Sequence, residues 1–291
     1  METSTTKARN AYKGRKLFRN IICIFLCILS LFPFYILFTA STLKSDLIQA
    51  GHIWLPGTYL IQNYKGLMQR TATTSMVGMW KAMRNSLLIT VPTTFLQVYF
   101  ASVTAYGVTV YDFKAKKIAW GFIYAIMMIP TQVSIVGFLS LTYKLHINGT
   151  YIPLILPAIA APSTVYFMKQ YMATALSTEI IEASRIDGAG EIKTFNKIVL
   201  PLLMPAMATQ AIFGFVGSWN NLYTPSLVLA SNGAKWGTMP MFVSSLKSND
   251  KQRDYGQIYF GLAITVIPIM IAYFLLSKYI VAGVALGGVK E

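Results

Sequence analysis

Charge is scarce in this sequence. Only 12% of the 291 residues are Asp, Glu, Lys or Arg, against roughly a quarter in a soluble globular domain, and 55% are hydrophobic. That balance weighs against a disordered chain, a collagen-like fibre and a water-soluble enzyme. Cysteine is scarcer still. Cys23 and Cys27 lie four residues apart in one apolar run, a spacing that suits small buried side chains on a helix better than a disulfide or a metal site. There is no G-x-x-x-x-G-K-[ST] loop, so the chain lacks a phosphate cradle of its own. The two histidines, His52 and His146, have no ligand constellation around them, and no set of converging acids, bases or metal ligands marks an enzyme.

The few charges are clumped, and the gaps between them carry the architecture. No charged residue occurs in 20–43, 85–111, 118–143, 145–168, 198–234 or 255–277, each at least 23 residues long. A helix needs roughly 20 residues to cross a ~30 Å hydrocarbon layer, and a charge at its centre costs about 2.5–3.5 kcal/mol. The windows lack the period-two alternation of a membrane barrel. They predict an all-α integral membrane protein with six transmembrane helices, at about 20–41, 85–108, 118–141, 151–170, 202–229 and 256–279. Residues 1–19 form an N-terminal cytoplasmic segment, 20–279 the membrane domain, and 280–291 a cytoplasmic tail. Pro130, Pro157, Pro162, Pro225 and Pro268 fall inside windows and read first as packing kinks, which membrane helices tolerate when neighbours satisfy the freed carbonyls.

The formal charge of +15 invites a nucleic-acid reading, but the basic residues are scattered loop caps and form no stripe. Lys7, Arg9, Lys13, Arg15, Lys16 and Arg19 precede the first window, whose apolar run is too long for a cleaved signal peptide. This cluster places the N terminus in the cytoplasm, and six crossings return the C terminus there. The loops add little, carrying +8 inside against +7 outside. Segment 42–84 mixes polar residues with Trp54, Tyr59, Tyr64, Met68 and Trp80, and is expected to fold in part as short helices at the membrane interface, its first dozen residues suiting a solvated linker equally well. Asn148-Gly149-Thr150 matches a glycosylation sequon, but Asn-Gly reads better as a turn.

Four of the ten acidic residues lie in one segment between the fourth and fifth windows. Ser177 or Thr178 can cap a short helix, Glu179 and Glu182 suit its first turns, and Gly188 is placed as the left-handed residue that ends it. A second short helix is expected from Glu191 to Pro201, where the next span begins. The pattern admits two readings: an ordinary solvated loop, or a docking helix with a fixed turn behind it.

Glu182-Ala183-Ser184, Asp187-Gly188-Ala189, Phe195 and Ile198-Val199-Leu200-Pro201 resemble the EAA loop of binding-protein-dependent ABC importer permeases. Ser184 stands where that family usually has Ala. Asn85-Ser86, Ala105-Tyr106, Pro130, Trp219-Asn220, Pro225 and Gly287-Gly288-Val289-Lys290 extend the resemblance towards the second permease of maltose-type carbohydrate importers. The resemblance implies a MetI-like bundle in a bacterial cell membrane, forming half of a pathway for a sugar or oligosaccharide. It implies a second permease, two copies of an ATP-binding subunit that hold ATP and Mg, an extracytoplasmic sugar-binding protein and surrounding lipid. It implies no cofactor and no catalysis on this chain. The coupling loop, 177–200, would act through Glu182, Ala183, Ser184, Asp187, Gly188, Ala189, Leu200 and Pro201.

An ion-coupled carrier or channel is the alternative, but such proteins commonly place ionisable groups inside their spans, and here the windows hold none except His146 at one edge. A neutral sugar needs only neutral pathway groups. Gln132, Trp219, Asn220 and Asn221 are candidates, with Gln97, Tyr99, Tyr106, Tyr124, Gln210 and Tyr223 behind them. For each of them singly, interhelical hydrogen bonding or interface anchoring is the favoured reading.

Overall fold

Every element is helical among the described residues of the computed structural model, which describes residues 2–73, 77–247 and 253–287. The chain divides into two units. In the first, Met1–Arg70 with Asn249–Ile264, the leading helix α1 (Glu2–Ser41) runs through the first charge-free window. From Arg15 onwards α1 is apolar enough to cross a membrane, and its most apolar stretch is uncovered by the rest of the chain. Cys23 and Cys27 are exposed on it and unbridged. α2 (Ser45–Gln49) and α3 (Leu60–Thr73) follow. Asn63 of α3 is buried, and its Nδ2 donates to the carbonyls of Ser41 and Leu43 at 2.8 and 2.9 Å, satisfying carbonyls at and just beyond the end of α1. The first turns of α16 (Tyr255–Gly287) complete the unit: Tyr64 packs on Phe260, with ring centroids 5.8 Å apart.

The second unit is Thr71–Ser248 with Thr265–Glu291. Its longest helix up to Ser248, α4 (Met79–Val110), continues through Pro92 and carries fourteen buried residues, including Asn85, Ser86, Ala105 and Tyr106. Asn85 Nδ2 donates to Gly237 O at 3.0 Å, and Ser86 Oγ accepts from Met239 N at 2.7 Å. The Asn-Ser pair thus holds the loop that opens α15 (Met239–Lys247) after the short α14 (Gly233–Trp236).

Proline breaks what was expected as a single helix over 118–141. α5 (Lys116–Met127) stops, Pro130 takes an extended ψ of 127°, and α6 (Thr131–Lys144) restarts. The residue before a proline is driven away from helical geometry and the ring offers no N–H, so the ladder lapses. Neither piece, at 12 and 14 residues, is long enough to cross alone. Gly149 has φ +76° in the turn that follows, as Asn-Gly predicts. The expected span over 151–170 is α7 (Ile152–Ile155), a 3₁₀ turn containing Pro157, and α8 (Pro162–Ala175). Beyond it lie α9 (Thr178–Ile186), α10 (Glu191–Thr194), a π turn at Phe195–Val199, α11 (Leu200–Leu202) and α12 (Met204–Trp219). The expected span over 202–229 is interrupted after Trp219 and resumes as α13 (Tyr223–Val228).

Among the described residues, four helices are long and apolar enough to cross a membrane: Arg15–Ser41, Met79–Val110, Ile152–Ala175 and Tyr255–Ile280. Glu191–Leu202 with Met204–Trp219 makes a fifth if the bent pair is one span. Of the C-terminal match, Gly288, Val289 and Lys290 lie outside the described residues.

Candidate functional site

The segment from Ser177 to Pro201 is two short helices around a fixed turn. Ser177 is the N-cap of α9, its Oγ accepting from Glu179 N at 3.2 Å. At the other end Ala189 N donates to Ser184 O and Gly188 N to Arg185 O, both at 3.0 Å. This is the paired closure of a Schellman turn, and it requires the φ of +74° found at Gly188. Across the turn Ser184 and Thr194, both buried, share a hydrogen bond of 3.1 Å that ties α9 to α10.

α9 has two faces. Inward, Ile181 is 1% exposed and sits in one core with Ala101, Ala105 and Tyr106 of α4, Met168 and Met172 of α8, Phe195, and Ala206 of α12. Burying an isoleucine contributes about 1.5–3 kcal/mol. Outward, Glu182 and Ala183 are exposed, as are Ile186 at 87% and Ile192 at 81%. Two bare isoleucines beside an acid, flanking a rigid turn, form an apolar surface that no other described residue covers.

Glu191 joins the segment to the end of α4. Its Oε1 accepts from Arg185 Nε at 2.8 Å, and its Oε2 accepts from the hydroxyls of Tyr111 and Tyr106. Tyr111 and Arg185 together hold the Glu191 carboxyl below the usual carboxylate range. Tyr99 OH donates to Asn196 Oδ1 at 3.3 Å, and the Phe195 ring lies edge-on to Tyr99 and tilted against Tyr106. The sequence reading missed this cluster. Its one visible signal was a pair of opposite charges, Arg185 and Glu191, straddling the Gly188 turn.

Leu200 is half-buried and Pro201 exposed. The chain does not turn into the next helix at Pro201, however. It turns at Leu203, which is fully buried, where Glu191–Leu202 and Met204–Trp219 meet at 79°. Pro205 has no N–H to return to the Pro201 carbonyl, so the helical ladder lapses there.

The pathway candidates are not brought together. Trp219 is 1% exposed, stacks on Phe215 and donates from Nε1 to Thr265 O at 3.1 Å, so it is a packing residue of α12 against α16. Asn220 is the exposed C-cap of α12, and Asn221 Oδ1 accepts from Thr224 N at 3.2 Å to start α13. Gln132 lies in the first turn of α6, and its side chain falls outside the described residues. Gln97 donates to Thr164 Oγ1 at 2.8 Å, an interhelical bond like those of Tyr99 and Tyr106. A cavity of about 450 Å³ between α4, α12 and α16 is lined mainly by apolar groups, among them Phe95, Met204, Met207 and Phe215.

The profile of the family described as "Binding-protein-dependent transport system inner membrane component" matches residues 97–286. The arabinooligosaccharides transport system permease protein AraQ of Halalkalibacterium halodurans is 33% identical over 269 residues, covering 91% of this chain and 93% of that one. AraQ of Bacillus subtilis is 32% identical over 274 residues, covering 93% and 94%. The sn-glycerol-3-phosphate transport system permease protein UgpE of Yersinia pestis is 27% identical, covering 93% and 96%. Among solved structures, a bacterial ABC transporter involved in the import of the acidic polysaccharide alginate shares the fold with a TM-score of 0.75 at 17% identity, covering 91% of this chain and 95% of that one. Matched over more than half its length, the chain belongs to the binding-protein-dependent transport system inner membrane component family and is a non-catalytic permease subunit of an ABC importer.

Proposed function

We propose that this chain forms half of the translocation pathway for a sugar or oligosaccharide, coupled to its ATPase through segment 177–200. The observation that carries the reading is the two-sidedness of α9: Ile181 is locked into a core shared with α4, α8 and α12, while Glu182, Ala183 and Ile186 are exposed, as is Ile192 of α10. A push on the outer face is therefore transmitted to three helices of the bundle.

Two ATP-binding subunits supply that push and hold ATP and Mg themselves. Their closure moves α9, the pathway opens outward, sugar enters from an extracytoplasmic binding protein, and hydrolysis resets it. A second, different permease completes the pathway. The chain crosses a bacterial cell membrane six times with both termini cytoplasmic, α5 and α6 together making one crossing. Support for a sugar comes from the arabinooligosaccharides for which AraQ is named and from six windows without Asp, Glu, Lys or Arg.

The test is Glu182→Lys. Removing one partner of a partly desolvated charged contact and reversing its sign costs several kcal/mol, roughly 2–5. Membrane abundance should stay normal, because Glu182 forms no ion pair among the described residues, while the ATPase subunit ceases to co-purify and sugar uptake is lost. Full uptake from a normally assembled Glu182→Lys complex would overturn the coupling role.

A further inference from the structure

The loop after α2 does not rise away from the membrane helix; it folds back along it. Gly51, at φ +81°, reverses the chain, and His52 N donates to Leu47 O at 2.9 Å. The loop then descends beside α1. Thr39 Oγ1 donates to Ile53 O at 2.8 Å and Tyr35 OH to Trp54 O at 2.6 Å, so side chains of the membrane helix satisfy two successive loop carbonyls. The Trp54 ring reaches Phe32, with centroids 6.0 Å apart. The chain climbs back at Gly57, whose N donates to Thr42 Oγ1 at 2.8 Å. A Cβ on Gly57 would meet Thr42 O at 2.7 Å, so the return strand lies directly on the end of α1.

Depth follows from helix arithmetic. Phe32 precedes Ser41, the last residue of α1, by nine residues, or about 13 Å. The charge-free window 20–43 spans about 36 Å of helix, some 3 Å beyond a 30 Å hydrocarbon layer at each face. That puts the boundary at about Ser41, and Phe32, against which the Trp54 ring packs, about 13 Å inside it. Polar backbone at that depth is tolerated only when it is satisfied, and the Thr39 and Tyr35 bonds do this for the two carbonyls. Residues 47–64 contain no Asp, Glu, Lys or Arg. Trp54 is 60% exposed and Leu55 76%, and the α1 face beside them is equally bare, with Leu31 at 66%.

We propose that the loop 51–57 is a membrane wedge, with Trp54 and Leu55 inserted among the acyl chains of the leaflet at the C-terminal end of α1. The partner is lipid: an uncharged loop, lying along an uncovered lipid-facing helix that satisfies the carbonyls of Ile53 and Trp54, matches hydrocarbon. The wedge moors α2 and α3 to the bilayer surface. It rests on the membrane insertion of the permease and not on its substrate or its ATPase.

The experiment uses the assembled transporter in lipid nanodiscs, with Cys23 and Cys27 replaced by alanine and a spin label at Leu55→Cys. References are Leu31→Cys on the lipid face of α1 and Gln62→Cys on the exposed side of α3. Accessibility to oxygen relative to a water-soluble nickel chelate should be several-fold higher at Leu55 than at Gln62, and should approach that at Leu31. Nickel access equal to that at Gln62 would put the loop in water, and protection from both reagents would put a protein over it; either overturns the wedge. Should the label disturb assembly, the emission lost in Trp54→Phe provides a second measurement: lipids brominated along the acyl chain should quench it, and an unquenched Trp54 overturns the proposal. A water-exposed label on a complex that imports sugar refutes the wedge alone. A lipid-facing label on a complex that imports nothing refutes the transport reading and upholds the wedge.

Discussion

Gly188 holds a left-handed conformation, φ +74°, that costs an L-residue roughly 1–2 kcal/mol. Nothing lies within 4 Å of where its Cβ would stand, so the penalty for substitution is conformational and not steric. Asn tolerates this region far better than a β-branched residue. Gly188→Asn should therefore retain most uptake, while Gly188→Val loses it with membrane abundance unchanged. Equal loss in both variants would point to a clash imposed by the docked partner. Ser184 makes a different case. Its hydroxyl donates to Ile181 O at 2.7 Å, which leaves Thr194 as donor across the 3.1 Å pair. Ser184→Ala strands a buried hydroxyl at a cost of about 1–3 kcal/mol, whereas Ser184→Ala with Thr194→Val removes both partners and should recover most of it. Thermal melting of the solubilised complex reads the cycle; additive losses would show that the two hydroxyls do not interact. The Ser177 cap and the Gly188 turn were legible in sequence because both are local backbone chemistry. Ser184 read as a small-for-small exchange, because its partner lies ten residues on, across the turn.

At the level of elements, proline was legible as a signal but not in its effect. Pro130 was expected to bend one helix and instead separates α5 from α6. Pro201 was expected to open the fifth span, yet the 79° bend falls at Leu203, where Pro205 withholds a donor. Trp219 looked available to a sugar only because its partner, Thr265 O, belongs to a helix 46 residues away. The latch from α9 to α4 was invisible for the same reason: Glu191 meets Tyr106 and Tyr111 over 85 and 80 residues of sequence. That latch predicts a coupling phenotype. The Arg185–Glu191 pair is about 40% exposed on each side, so water screens it and it adds little stability. Its consequence is positional. Glu191→Gln keeps an oxygen for the tyrosines but releases Arg185, and the complex should assemble normally while hydrolysing more ATP per sugar imported. An unchanged ratio of ATP to sugar would mean that α9 drives α4 through Ile181 alone.

For the whole molecule, the quantity that decides topology is the parity of crossings. With the N terminus cytoplasmic, as proposed from its basic cluster, the side of every later loop depends on whether α5 and α6 form one crossing or a re-entrant pair. Together they contain 26 residues, about 39 Å of helix, enough to cross a 30 Å layer despite the break at Pro130. Both helices are also largely exposed, Ile118 and Val136 at 76% and 75%, as lipid-facing or partner-facing surfaces would be. One crossing puts 112–117 in the cytoplasm and the turn after α6 outside; a re-entrant pair puts both on the same side and reverses everything after them, including segment 177–200. In a background with Cys23 and Cys27 replaced by alanine, an impermeant thiol reagent applied to intact cells should therefore label Gln62→Cys and Lys144→Cys. Lys114→Cys and Glu179→Cys should react only after the membrane is opened. Labelling of Lys144 and Lys114 from the same side would remove one crossing, and labelling of Glu179 from outside would place the coupling segment beyond the reach of any cytoplasmic ATPase.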